Sequence, residues 1–201
     1  MKTSLGIGAM CVTVFGISLG AFQATGAGGG RQAAPPPAPP TSIVAEVNGF
    51  YSPIAGYITR SAEMVPEDKY TWQATPDVRS FARLFAHITD DNNGACAAIA
   101  GVNPAPGRVD TGAVGNWAAD KMTKADLVKG LTESVALCQR AFTMVEPSTM
   151  MEMNGRRTRI GSLIYNTSHI NEHYGNLVTY LRLIGMVPPS SAPRGGGPGL
   201  R

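Results

Sequence analysis

An excess of basic residues is missing from the part of this 201-residue chain that can fold. Seventeen Lys and Arg face fourteen Asp and Glu, but Lys2, Arg31, Arg194 and Arg201 lie in the tails, leaving thirteen bases against fourteen acids between residues 43 and 189. A net charge near −1 there offers no electrostatic footprint for DNA or RNA, and no nucleic-acid partner is expected. Charge of either sign is absent from the 28 residues after Lys2, which run from the apolar stretch Leu5 to Phe22 into Ala24-Thr25-Gly26-Ala27-Gly28. That pattern predicts a signal peptide over residues 1–27, cut after Ala27, and hence an exported, periplasmic or extracellular protein. If the segment is retained instead, it is an N-terminal anchor and the chain's one contact with a membrane. Cys11, behind Gly8-Ala9-Met10, lacks the setting of a lipoprotein cysteine.

Proline and glycine are scarce in the interior, although the chain has 15 and 24 of them: most crowd into residues 20–40, 101–115 and 185–199. The run Ala33-Ala34-Pro35-Pro36-Pro37-Ala38-Pro39-Pro40 supports neither helix nor sheet, because proline fixes φ and removes a donor, so residues 28–43 read as an extended spacer. Pro188-Pro189 stops the last element, and residues 188–201 read as a flexible tail. The 43% apolar content excludes wholesale disorder.

Strand alternation is also lacking, and helical spacing takes its place over residues 44–187. Val44, Val47, Tyr51, Ile54, Ile58 and Met64 share one face of a first helix, 44–64, with a kink expected at Pro53. Asp77 is the expected cap of a second helix to about Ala100, with Phe81, Leu84, Phe85, Ile88, Ala95 and Ile99 on its stripe. Thr123-Lys124-Ala125-Asp126 resembles a capping box and opens a third segment to Val145. The fourth, roughly Arg159 to Gly185, is the longest. Four amphipathic helices make an all-α four-helix bundle the expected fold. The linker from Gly101 to Met122 is about 22 residues, long enough to cross the bundle and allow helices two and three to run parallel.

Histidine is the scarcest informative residue. The chain has three: His87 in the second helix, and His169 and His173 four apart in the fourth. An i, i+4 pair puts two imidazoles on one face, able to chelate one ion, and His87 lies at about the same height in its own helix. The bland alternative is two surface histidines and a third on a helix flank. Imidazole suits zinc, nickel, copper and iron alike, and three protein ligands with a remaining open position is the pattern of a catalytic rather than structural zinc site. Asp91, one turn after His87, is a candidate ligand, orienting group or base, against a solvated acid in Asp90-Asp91; Tyr180, two turns beyond His173, is a second candidate for proton transfer. Glu172 completes an H-x-x-E-H string, found in one group of metallopeptidases, but the helical wheel turns it about 100° from His173 and the rest of a peptidase domain is missing.

Cysteine is as sparse, with three in all. Cys96 and Cys138, the two left after cleavage, lie on or near apolar stripes, and parallel second and third helices set them about 7 Å apart along the bundle. A disulfide in an oxidising compartment and two buried thiols are the two alternatives.

Three stretches, Ser80-Phe81-Ala82-Arg83-Leu84-Phe85-Ala86-His87-Ile88, Lys124-Ala125-Asp126-Leu127, and His169 to Pro189, resemble the DinB/YfiT-like superfamily of four-helix metal-binding proteins, in particular its exported bacterial members. The resemblance covers about residues 45–190. It implies an up-down-down-up bundle and a divalent metal, zinc, nickel or iron, held by His87, His169 and His173. It also implies a metal-dependent enzyme of hydrolase or transferase type acting on a small molecule, with a non-catalytic, metal-braced binding or envelope-stress protein as the alternative. A homodimer is compatible with either. The family includes thiol-dependent transferases and isomerases, whose low-molecular-weight thiols belong mainly to the cytoplasm; the export segment sets this chain apart from them.

Overall fold

The computed structural model describes residues 42–192 apart from 104, 114 and 115; the expected signal peptide, nearly all of the spacer and the end of the tail lie outside these residues. Four helices form: α1 Ile43–Met64, α2 Phe81–Cys96, α3 Lys124–Thr143 and α4 Arg159–Leu183. Each opens on a Ser or Thr whose hydroxyl accepts a hydrogen bond from a backbone N–H in the first turn, satisfying a donor that has no partner inside the helix. Ser42 accepts from Ala45, Ser80 from Arg83, Thr123 from Asp126 and Thr158 from Gly161. Ser80 therefore replaces Asp77 as the cap of the second helix, and Asp77 is exposed in the turn that precedes it. α1 continues through Pro53. Gly101 at φ +74° and Gly185 at φ +79° occupy the left-handed position past α2's last turn and past α4. There they let Val102 N–H reach Ala97 O and Met186 N–H reach Leu181 O, both at 2.8 Å.

The partners that face one another fix the direction of each helix. α2 and α3 are parallel: Asn92 Nδ2 donates to Ser134 Oγ at 3.1 Å, and one turn further on Cys96 is bridged to Cys138, with Cα atoms 5.0 Å apart. The 7 Å offset expected between these cysteines vanishes because α2 starts at Phe81 rather than Asp77. α1 runs antiparallel to α3, Lys124 Nζ donating to Val65 O at 2.7 Å at one end and the Tyr51 ring packing at a tilt against Phe142 at the other. α4 runs antiparallel to α2, with Tyr180 beside Phe81 and Asn166 beside Asn92. The bundle is thus up-down-down-up. Tyr51, Ile58, Phe81, Phe85, Ile88, Leu131, Ile170, Leu177 and Leu181 are among its fully buried side chains. A polar knot sits among them: Asn92 Oδ1 accepts from Tyr51 Oη at 3.3 Å and from Asn166 Nδ2 at 2.9 Å, so one amide ties α1, α2 and α4 and, through Ser134, α3.

Two hairpins of two-residue strands were not expected: β1 Gly112–Ala113 with β2 Asn116–Trp117, and β3 Met153–Asn154 with β4 Arg157–Thr158. Among the described residues no helix is long and apolar enough to cross a membrane.

The linker between α2 and α3 lies back along α2. Asp90 is the reason: its carboxylate accepts from Val109 N–H at 2.7 Å and Asp110 N–H at 2.8 Å. Nearer α3, Ser80 Oγ donates to Asp120 Oδ1 at 2.5 Å, and Arg83 Nε lies 3.5 Å from Asp120 Oδ2. A hydrogen bond to a charged group contributes about 1.5–3 kcal/mol. Asp90→Ala strands two backbone donors, so it should lower stability by about 2–4 kcal/mol and expose the linker to proteolysis. Limited proteolysis with mapping of the cut sites checks this; wild-type resistance in the linker would contradict it.

Candidate metal centre

α2 carries His87 and Asp91 one turn apart, and α4 carries His169 and His173 one turn apart. Because the two helices are antiparallel neighbours, the pairs face each other at one level. The ring centroids of His87 lie 5.5 Å from His169 and 4.8 Å from His173, both near perpendicular, and those of His169 and His173 are 4.6 Å apart. The Nε2 atoms of His169 and His173 approach to 3.0 Å. Asp91 Oδ2 stands 3.3 Å from His87 Nε2 and 3.3 Å from His169 Nδ1. One ligand atom from each of the four residues lies within 4.8 Å of every other. All three expected histidines are therefore brought together, with Asp91 as a fourth member.

Asp110 supports the group from outside. Its Oδ2 is 3.3 Å from His87 Nδ1 and 3.6 Å from Arg79 Nε. A carboxylate this near, although it makes no hydrogen bond to Nδ1 here, favours the proton on that nitrogen and leaves Nε2 as the donor to an ion, as is common for metal-binding imidazoles. Asp110 reaches this position because Asp90 pins its backbone. Asp90 is thus a buried clamp rather than the solvated acid the sequence suggests.

The electrostatics keep the cluster ready for a cation. Burial, with the nearby charges of Arg79 and the other two histidines, lowers His87 from the usual 6.5 to about 3; burial and His169 lower His173 to about 4. Both imidazoles are neutral at pH 7, the form that binds metals. Burial raises the carboxyls of Asp91 and Asp110 above the usual carboxylate value. Among the described residues, every buried side-chain polar atom without a hydrogen-bond partner except Trp117 Nε1 belongs to this cluster or to Asp110: His87 Nδ1, Asp91 Oδ2, Asp110 Oδ1, His169 Nδ1 and His173 Nδ1. Unpartnered polar atoms are normally costly to bury, so their concentration here fits a bound ion, as does a donor set of three imidazoles and a carboxylate.

The pH response of the metal-free protein follows from the same shifts. Between about 6.5 and the folded values near 4 and 3, the unfolded chain binds protons on these histidines that the folded chain refuses, so stability falls as pH falls through that window. Asp91 and Asp110, with raised values, offset part of the loss at its acid end. The urea midpoint should be lower at about pH 5 than at about pH 7.5, with a shallower slope in His173→Gln. A midpoint that rises toward pH 5 would contradict this.

Tyr180 does not join the site. Its ring packs edge-on against Trp72 and Phe81, centroids 5.5 and 5.6 Å away, as part of the core. Glu172 is exposed and is not a member of the cluster. Asp110 was missed from sequence because it lies in an aperiodic linker.

No curated protein gives a significant match to the chain. The sequence profile of the DinB superfamily matches residues 57–177, a span that takes in His87, Asp91, Asp110, His169 and His173. With the four-helix fold and the histidine–aspartate group that could hold a metal ion, the match over more than half its length assigns the chain: it belongs to the DinB superfamily.

Proposed function

We propose that His87, His169 and His173, with Asp91 beside them, hold one divalent ion of the zinc, nickel and iron group, and that the protein is an exported metal-dependent enzyme of hydrolase or transferase type. The observation that carries this is the meeting of three imidazoles and a carboxylate from two antiparallel helices, within 4.8 Å of one another. Export rests on the uncharged N-terminal run alone. A bound ion supplies Lewis acidity toward a substrate oxygen or thiol. The chain's own residues do the rest. Asp110, held by Arg79 and by Asp90 through its backbone, orients His87. Asp91, whose carboxyl burial pushes up, can hold or pass a proton at Oδ2.

A catalytic role is favoured over simple bracing because the cluster is not sealed. The side chains of His87, His169 and Asp91 are 14, 21 and 22% exposed, and Asp91 also borders a cleft of about 410 Å³. Cobalt substitution tests the distinction. The expected result is a cobalt spectrum that shifts saturably with azide or a small thiolate, as an open coordination position requires. A spectrum that is indifferent to both would leave a structural ion and no enzyme.

A further inference from the structure

The cleft beside Asp91 has a chemistry that the metal cluster does not explain. Arg108 of the linker, Arg156 and Arg157 of the second hairpin, Tyr165 and the buried Asn166 line it together with Asp90 and Asp91. Arg108 is engaged by Asp90, at 3.6 Å. Arg156 and Arg157 have no carboxylate partner among the described residues. Gly155, at φ +64°, makes the tight turn that projects them. Arg157 is nevertheless placed: its guanidinium lies over the Tyr165 ring at 3.9 Å, and the other end of that contact chain is His169, whose ring centroid is 5.5 Å from that of Tyr165. A guanidinium over an aromatic ring still has N–H donors to offer, and its fork matches a carboxylate or phosphate.

We propose that this cleft is the substrate's anchoring site and that the substrate carries a compact oxyanion, carboxylate or phosphate, gripped by Arg156 and Arg157 while its reacting end reaches the histidine cluster. This rests on the metal-enzyme reading above for the second half of the statement; the oxyanion site itself stands on the arginines.

Zinc-loaded wild-type protein, Arg156→Gln/Arg157→Gln, Arg156→Gln alone and the distant control Arg182→Gln are titrated calorimetrically with inorganic phosphate and, separately, with acetate. The expected result is saturable binding of at least one anion by wild type and by Arg182→Gln. In the double variant the dissociation constant should be at least about tenfold weaker, and in the single variant smaller but in the same direction, at unchanged zinc content. The stronger of the two anions identifies the headgroup. Equal affinity in wild type and the double variant, or no saturable binding of either anion, overturns the proposal. The same titration on metal-free protein separates the two readings. Arginine-dependent binding there, in a chain that takes up no zinc, upholds the oxyanion site and removes the metal enzyme; zinc uptake with arginine-independent anion binding does the reverse.

Discussion

His169→Ala and His173→Ala should each reduce the metal content of the purified protein from about one ion per chain to less than about a tenth, with the helical circular dichroism retained. Each change removes one of three imidazoles and leaves one on each helix beside Asp91, a donor set one nitrogen short of the three-histidine site. The fold should survive because the neighbouring core, Ile170 and Leu177 on the same helix, is fully buried without help from the cluster. His87→Ala belongs to the same class. Asp110→Asn is different in kind: it leaves all donors in place but weakens the orientation of His87, so affinity should drop by about 10–100-fold while saturating metal still restores full occupancy. Tyr180→Phe should change neither quantity, since its ring is committed to Trp72 and Phe81. Elemental analysis of the variants, followed by competition with a chelator, reads all of this. Undiminished metal in His169→Ala would remove the site.

Breaking the Cys96–Cys138 bridge should be the most destabilising single chemical change. The bond closes a loop over a sequence separation of 42, for which the chain-entropy estimate is about 4 kcal/mol. For a domain of this size that corresponds to a fall in Tm of about 8–16 °C. The bridge also lies against the polar knot, where Asn166 Nδ2 is 3.6 Å from Cys138 Sγ, so its loss loosens packing around Asn92 as well. Thermal unfolding with and without reductant, and of Cys96→Ala/Cys138→Ala, measures the effect. Under denaturing, non-reducing conditions these two residues should yield no reactive thiol. Superimposable melting curves would show that the bridge does not form or does not matter.

The four helices, their order and the histidine meeting were legible because they follow from periodicity and rarity: apolar stripes mark the helices, and three histidines at one height had few other uses. Where the sequence misled, a local rule had two solutions. Asp77 and Ser80 are both acceptable caps, and the choice falls to Ser80 because its hydroxyl is shared with Asp120 and Phe81 N–H is taken by Trp72 O. Asp90 looked solvated because only one stripe of α2 is apolar. Yet α2 is covered on nearly every side, by α3, α4 and the linker, and buries Arg83, Thr89, Asp90 and Asn93 as well. Asp110 carries no signal of its own, since nothing in a Gly- and Pro-rich stretch indicates which residue will land beside a helix midpoint. The hairpin over residues 153–158 has strands too short to alternate, and only Gly155, the first residue of its two-residue turn, hints at it.

The backward course of the linker also sets an order of assembly. Docking it on Asp90 closes a loop of 20 residues, whereas the contact between Asn92 and Asn166 that seats α4 closes 74. The longer closure costs about 1 kcal/mol more in chain entropy, and it must also wait for α3 to be in place between the two helices in sequence. His87, Asp91 and Asp110 are therefore aligned on the early-forming half of the molecule, and His169 and His173 arrive with the last helix. Ion capture becomes a report on the completion of folding: in refolding experiments the cobalt spectrum should develop with the slowest phase, after most of the helical signal has already returned.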